Sequence, residues 1–296
     1  MPLTRRALLS TATAAAFVAV AAPANAASRR TRGSIRHIPL TGAVNVRDLG
    51  GYRTYDGEEV RYGRIYRADA LSKLTEADVA VLAGLGLTAA IDFRIPIEIQ
   101  YDGADKLPAG VTPVARPITD NGLYAQMMAA IGSRDPVKQE EMLGGGRAAT
   151  FMRNIYPSFV TSAANRAQFA ATLRDAAAPG RTPLLYHCTS GKDRTGWTSY
   201  LLLVALGVPA PVAVQDYLAS NTFRAAHDAK VREGLKQSGM MQNPDLIIPL
   251  QEVRTEYLNA ALSAVDTEYG SLYRYLTVGL GLDLQTLAAL RSRLVH

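Results

Sequence analysis

A three-layer α/β/α sandwich with a mainly parallel central sheet and a helical lid or insertion is predicted by three features of the 296-residue sequence. Two short, continuous apolar runs, Leu87–Phe93 and Pro183–His187, read as strands buried on both faces, the habit of parallel sheets. Helix-length segments alternate with these runs, the order expected of βαβ units. A hydrophobic fraction of 48% with 20% charged residues describes a chain able to bury a substantial core.

The elements follow in order. Residues 1–26 are expected to be an export signal rather than part of the fold. Arg5 and Arg6 precede an uncharged apolar run from Ala7 to Ala22, and Pro23 precedes the small-x-small site Ala24-Asn25-Ala26. The paired arginines suggest the twin-arginine route and a secreted or extracytoplasmic product cleaved near Ala26. Residues 27–296 then form a single catalytic domain, within the usual size limit of one core. Asn45–Gly51 has turn chemistry at both ends and reads as a structured loop, and Arg64–Arg67 as a short strand. Thr75 with Asp78 can cap a helix that closes near Gly84 or Gly86. Val111–Ile118 is a weaker strand.

Residues 119–150 show no clear period and carry Gly144-Gly145-Gly146, as in a mobile helical insertion. Met127, Met128 and Met142 lie there, with Met240 and Met241 further on, and such adaptable side chains suit a lid as well as a core. Phe151–Ala178 reads as one helix and Thr195–Leu206 as an apolar helix. Ala210–Lys236 reads as a helix broken near Ser220-Asn221. Arg254–Glu268, Ser271–Val278 and Asp283–Leu294 complete a helical C-terminal region.

Charge and cysteine content narrow the function. The net charge of +6 falls to +4 once Arg5 and Arg6 are removed, since residues 1–26 hold no acid. That modest excess suits an anionic substrate or peripheral contact with an anionic membrane surface. It is too diffuse for nucleic acid, and no basic run interleaved with aromatics is present. No metal site is expected, because His37, His187, His227 and His296 lack ligand spacing, and no cofactor-binding glycine loop occurs. Cys188 is the only cysteine, so it has no internal disulfide partner.

The neighbours of Cys188 give it a chemistry. His187-Cys188-Thr189-Ser190-Gly191-Lys192-Asp193-Arg194-Thr195-Gly196 lies between a buried strand and an apolar helix. Five residues separate Cys188 from Arg194, enough for a half-circle whose backbone amides form an anion-binding nest. The positive end of the following helix points at the same place. Gly191 permits the turn, and Arg194 can hold two phosphoryl oxygens with its planar fork. Cys188 as a thiolate can then attack phosphorus and form a cysteinyl-phosphate that water hydrolyses. Thr195 can donate its hydroxyl to the departing thiolate. His187 is expected to orient the loop, not to act as a base. Thr189, Ser190, Gly191, Lys192, Thr195 and Gly196 complete the candidate substrate-binding set, with Lys192 adding charge beside the phosphate or pointing to solvent.

This stretch resembles the signature loop of the cysteine-dependent protein tyrosine phosphatases, most closely their atypical bacterial and fungal branch. The loop Asn45–Gly51, the strand Ile91–Arg94 followed by Glu98, and Asp216–Asn221 are similar to segments of that branch. The resemblance implies a metal-independent phosphomonoester hydrolase acting on phosphorylated protein or peptide, with Asp193 as first candidate for the general acid. Asp120 is the second candidate and Asp92 the third, although Asp92 and Arg94 also fit a structural ion pair bracing the loop. A phosphoinositide or inositol-phosphate phosphatase using the same loop is the alternative. A sulfurtransferase and a non-catalytic phosphate-binding module are more distant ones.

Overall fold

The computed structural model describes residues 36–296, and the expected export signal lies outside them. Six strands make one mixed sheet: β1 (Arg36–His37), β2 (Arg47–Asp48), β3 (Ile65–Ala68), β4 (Ala89–Asp92), β5 (Thr112–Ala115) and β6 (Leu184–His187). Their spatial order is β1-β2-β3-β6-β4-β5. The four strands from β3 to β5 run parallel, while β1 and β2 add an antiparallel edge. β6 therefore lies centrally, and its carboxyl end, where Cys188 follows, opens between the ends of β3 and β4. Ligands bind at such positions in open α/β sheets.

Alternation along the central strands sorts the core into two layers. Ile65, Ile91, Leu184 and Tyr186 join a large cluster, whereas Tyr66, Ala68, Ala90 and Leu185 join a smaller one. Successive strand residues point to opposite faces, so the sheet divides the two clusters. The smaller cluster is covered by α1 (Glu76–Ala83), whose start is the expected capping box of Thr75 and Asp78. The short helix α2 (Pro96–Asp102) follows β4.

Residues 119–150 supply two helices, α3 (Leu123–Ser133) and α4 (Pro136–Leu143). The single helix expected over Phe151–Ala178 is two, α5 (Arg147–Thr161) and α6 (Ala163–Ala177). Ser162 interrupts them because its backbone is extended and its hydroxyl caps α6 by accepting from the Asn165 amide. After β6 come α7 (Arg194–Ala205) and α8 (Ala210–Gln237). The expected break in α8 does not occur. Ser220 accepts from Arg47 and Arg67, and Asn221 exchanges two hydrogen bonds with the Val253 backbone. Their polar atoms are satisfied outside the helix and do not compete for its backbone. The chain ends with α9 (Ile248–Gln251), α10 (Thr255–Tyr269), α11 (Leu272–Arg274) and α12 (Leu284–Leu294). Tyr275–Gly279 forms a π-turn where a continued helix was expected.

A buried ion cluster ties the antiparallel edge to α8. Arg47 Nε donates to Asp216 Oδ1 at 2.9 Å, and Arg67 Nη1 to Asp216 Oδ2 at 2.6 Å. All three side chains are buried. Burial opposes the charge on Asp216, but the two guanidiniums outweigh it and hold the carboxyl below the usual carboxylate range. A depressed pKa stabilises the fold at neutral pH, and that contribution is lost as pH falls through the folded value. Asp216→Asn should therefore lower the unfolding free energy by about 3–5 kcal/mol at pH 7, because two buried cations lose their counter-charge. Urea denaturation should show the gap to the wild type narrowing as pH falls below about 4; equal stability at pH 7 would refute the assignment.

Candidate active site

Cys188 follows β6 directly, and Arg194 opens α7, so the intervening residues bridge a strand end and a helix start. Gly191 holds φ +63°, and a Cβ there would lie 2.4 Å from the Ala68 carbonyl oxygen. Only glycine fits this turn against β3.

The loop carbonyls are drawn outward. Thr189 O accepts from the Ala70 amide at 3.1 Å. Ser190 O accepts from Asn45 Nδ2 at 3.1 Å and Arg224 Nη1 at 3.2 Å. Gly191 O accepts from Asn45 Nδ2 at 3.0 Å and Arg67 Nη2 at 2.7 Å. In a planar trans peptide the next residue's N–H points opposite to the carbonyl. The amides of Ser190, Gly191 and Lys192 consequently face the concave side and form the anion nest. The donors are themselves anchored, Asn45 by Arg47 and Asp69, and Arg224 by Asp69 and Asp228.

Arg194 is held by Glu98. Its Nη1 donates to Glu98 Oε2 at 2.7 Å, and Nη2 donates to Glu98 Oε1. Nη1 also reaches the Phe93 and Ile118 carbonyls at 3.1 and 3.2 Å. Among the described contacts this leaves the Nε–H and one Nη2–H, the side edge of the fork, for two phosphoryl oxygens. Glu98 also accepts from Thr189 Oγ1 and from the Ile95 amide. Burial opposes its ionisation, yet the Arg194 charge and these hydrogen bonds keep its carboxyl below the usual range. Burial likewise disfavours the Arg194 cation, and Glu98 more than offsets it, so the guanidinium stays charged.

Cys188 lines a walled cavity. Cys188 has 0% exposure. Leu123 and Met127 of α3, Met152 and Phe159 of α5, and Leu250 of α9 supply an apolar wall facing Lys192, Asp193 and Arg194. Of the methionines considered for a lid, Met127 lines this wall, and it packs with the core as Met142, Met240 and Met241 do.

Lys192 does not point to solvent: it is 1% exposed, and its Nζ lies 2.9 Å from Asp193 Oδ1 and 3.2 Å from the Glu252 carbonyl. Asp193 lines the cavity and accepts from the Tyr156 hydroxyl at 2.7 Å. Asp120 also lines it, but its two oxygens accept from the Gly122 and Tyr124 amides at the start of α3. Asp92 sits behind the loop, paired with Arg94, which also binds Asp105 at 2.7 Å. His187 is buried with Nε2 2.9 Å from Asp105 Oδ2, so this cluster fixes the residue before Cys188. Asp92, Asp105 and His187 have the proximity of metal ligands, which sequence spacing did not foretell, and Arg94 supplies the cation between the carboxylates. Thr195 Oγ1 is buried with no hydrogen-bond partner among the described residues. Gly196 leaves room for a ring: its Cβ would lie 2.9 Å from Tyr217 Cδ2.

Several residues that build the site escaped the sequence reading. Glu98, Asn45 and Asp216 fell in segments marked by the family resemblance, but nothing local announced their partners. Arg67, Asp105, Tyr156 and Arg224 carried no signal, because their partners are brought to them by the fold.

The family model described as the tyrosine phosphatase family matches residues 38–296. A Cupriavidus necator protein bearing a tyrosine-protein phosphatase name is 34% identical over 244 residues, covering 82% of this chain and 84% of its own. The triple specificity protein phosphatase PtpB of Mycobacterium tuberculosis is 31% identical over 265 residues, 82% of this chain and 93% of that protein. The solved structure of P. aeruginosa TpbA in complex with phosphotyrosine covers 80% of this chain and 99% of its own, at 14% identity and a TM-score of 0.31.

Glu98→Gln leaves Arg194 without its counter-charge and loosens the fork. Inorganic phosphate should bind about 10-fold more weakly to the variant, the order of one charge-assisted hydrogen bond, as read by titration calorimetry. An unchanged affinity would show that Arg194 is positioned without Glu98.

Proposed function

This chain belongs to the tyrosine phosphatase family, and we infer that it is a cysteine-dependent phosphomonoester hydrolase preferring the aryl ester of phosphotyrosine. One observation carries the reading: a loop with three amides turned inward joins Cys188 to Arg194, whose open edge is set by Glu98. The nest and the fork bind the three non-bridging oxygens and stabilise their charge as phosphorus transfers. The Cys188 thiolate attacks phosphorus opposite the departing oxygen, and the sulfur–phosphorus bond forms as the ester bond breaks. Asp193 supplies the proton for the departing oxygen, a role supported by its place in the cavity lining and by the capping duty of Asp120. Water then attacks the cysteinyl-phosphate, giving its proton to Asp193. The sulfur leaves as thiolate with the Thr195 hydroxyl, a donor with no other described partner, to receive it. The apolar wall favours an aromatic ester over a bare alkyl one.

A second substrate class, inositol phosphates and phosphoinositides, is favoured by Lys192. Its buried ammonium faces the same cavity and adds a cation for a second phosphate on one ring. Residues 1–26 are proposed as a twin-arginine export signal, and the mature net charge of +4 suits contact with an anionic membrane surface. No described helix is long and apolar enough to cross a membrane.

Cys188→Ser should abolish turnover of phosphotyrosine peptide, and EDTA should leave the wild type unaffected; activity surviving the first or lost to the second would sink the mechanism. Asp193→Asn should slow phosphotyrosine hydrolysis by about 10²–10⁴-fold, with a smaller loss for esters of more acidic phenols. If Asp120→Asn shows that dependence and Asp193→Asn does not, the acid is Asp120. Mass spectrometry of the exported protein should find an N-terminus near Ala27, and replacing Arg5 and Arg6 with lysine should stop export. Recovery of only the intact chain in the cytoplasm would refute the signal.

A further inference from the structure

Asp193 occupies the N-cap position of α7, yet its side chain makes no capping bond to that helix. An aspartate there ordinarily accepts from one of the first free backbone amides. This carboxylate is turned instead onto Lys192 and Tyr156. Lys192 Nζ donates to Oδ1 at 2.9 Å and lies 2.8 Å from Oδ2, close to both oxygens. The Tyr156 hydroxyl contacts one of them, donating to Oδ1 at 2.7 Å.

The same hydroxyl lies 2.6 Å from the Tyr217 hydroxyl. A carboxylate only accepts, and each phenol has one proton to give. With Tyr156 donating to Asp193, the proton between the two rings must come from Tyr217. The chain therefore has a direction, from Tyr217 of α8 through Tyr156 of α5 to Asp193. Both rings are fully buried, and burial together with the Asp193 charge keeps both phenols protonated. Gly196 of the signature loop is what admits the Tyr217 ring, since a side chain there would meet it. Asp216, the residue before Tyr217 in α8, is fixed by Arg47 and Arg67, which anchors the far end of the chain.

We propose that Tyr217 and Tyr156 are positioning residues for Asp193, a two-phenol hydrogen-bond chain that occupies Oδ1 and leaves Oδ2 to carry the transferable proton. The proposal rests on Asp193 being the general acid. In the first half-reaction the sulfur–phosphorus bond forms, the ester phosphorus–oxygen bond breaks, and the Oδ2 proton passes to the departing oxygen. The negative charge left on the carboxylate develops beside a donor already aimed at it, which needs no reorganisation. In the second, a water oxygen bonds phosphorus, the sulfur–phosphorus bond breaks, and the water proton returns to Oδ2. Lys192 lies within 2.9 Å of both oxygens, and its flexible ammonium is also the group a phosphoryl anion draws away.

The test compares wild type, Tyr156→Phe, Tyr217→Phe, Asp193→Asn and the Tyr156→Phe/Asp193→Asn double variant on aryl phosphates of graded phenol acidity. The ratio of kcat/KM between two esters does not depend on how much of a preparation is folded, so partial misfolding cannot mimic the result. Tyr156→Phe should lose about 10-fold on phenyl phosphate, the order of one hydrogen bond to a charged group, and little on the most acidic phenol. Tyr217→Phe should shift the same slope in the same direction by less. The double variant should be no steeper than Asp193→Asn alone, because the two changes act on one group. A Tyr156→Phe loss equal for all esters, or an additive double variant, overturns the relay while Asp193→Asn remains steep. A flat Asp193→Asn profile overturns the acid assignment and the relay with it.

Discussion

An anion-binding loop has to aim its amides at the ligand, and planar peptides then force the preceding carbonyls away from it. Those carbonyls face the protein interior, where an unsatisfied acceptor is costly. Here Thr189, Ser190 and Gly191 hand theirs to the Ala70 amide, Asn45, Arg67 and Arg224. Two of those donors are buried cations, which in turn require Asp216, Asp69 and Asp228. Much of the buried charge in the fold is thus a consequence of the loop's geometry. The end of β3 and α8 are where that charge is housed.

The Arg194–Glu98 pair follows the same logic on the ligand side. A guanidinium that is only 6% exposed cannot remain charged at low cost without a carboxylate, and Glu98 provides one end-on. Holding the end of the fork leaves its side edge at a defined angle, which a mobile surface arginine would lack. Apolar replacements at such sites are often more stable, so a buried pair of this kind is weak evidence for stability.

Acidic side chains that look equivalent along the chain are separated by what their oxygens already bind. Asp120 is occupied by two backbone amides of α3, and Asp92 by Arg94. Asp193 keeps its place in the cavity because it gives up the capping bond its position would normally make. Its contacts are the Lys192 ammonium and the Tyr156 hydroxyl.

The sequence by itself determined the layered α/β class, the buried central strands, and the placing of the Cys188–Arg194 loop between a strand and a helix. Each of these is written in local terms: apolar runs of strand length, a capping pair three residues apart, and a nucleophile and cation at fixed spacing between strand and helix. What only the tertiary structure decided are the partners. Glu98 meets Arg194 across 96 positions, Tyr156 meets Asp193 across 37, and Asp216 meets Arg47 across 169. The same contacts overrode local expectation in α8, where Ser220 and Asn221 look like helix breakers until remote donors and acceptors take up their side chains. Ser162 shows the reverse, dividing one helical stretch into α5 and α6 by capping the second. Propensity and spacing report what a residue does with its near neighbours, whereas a buried polar group is settled by whichever distant atom satisfies it.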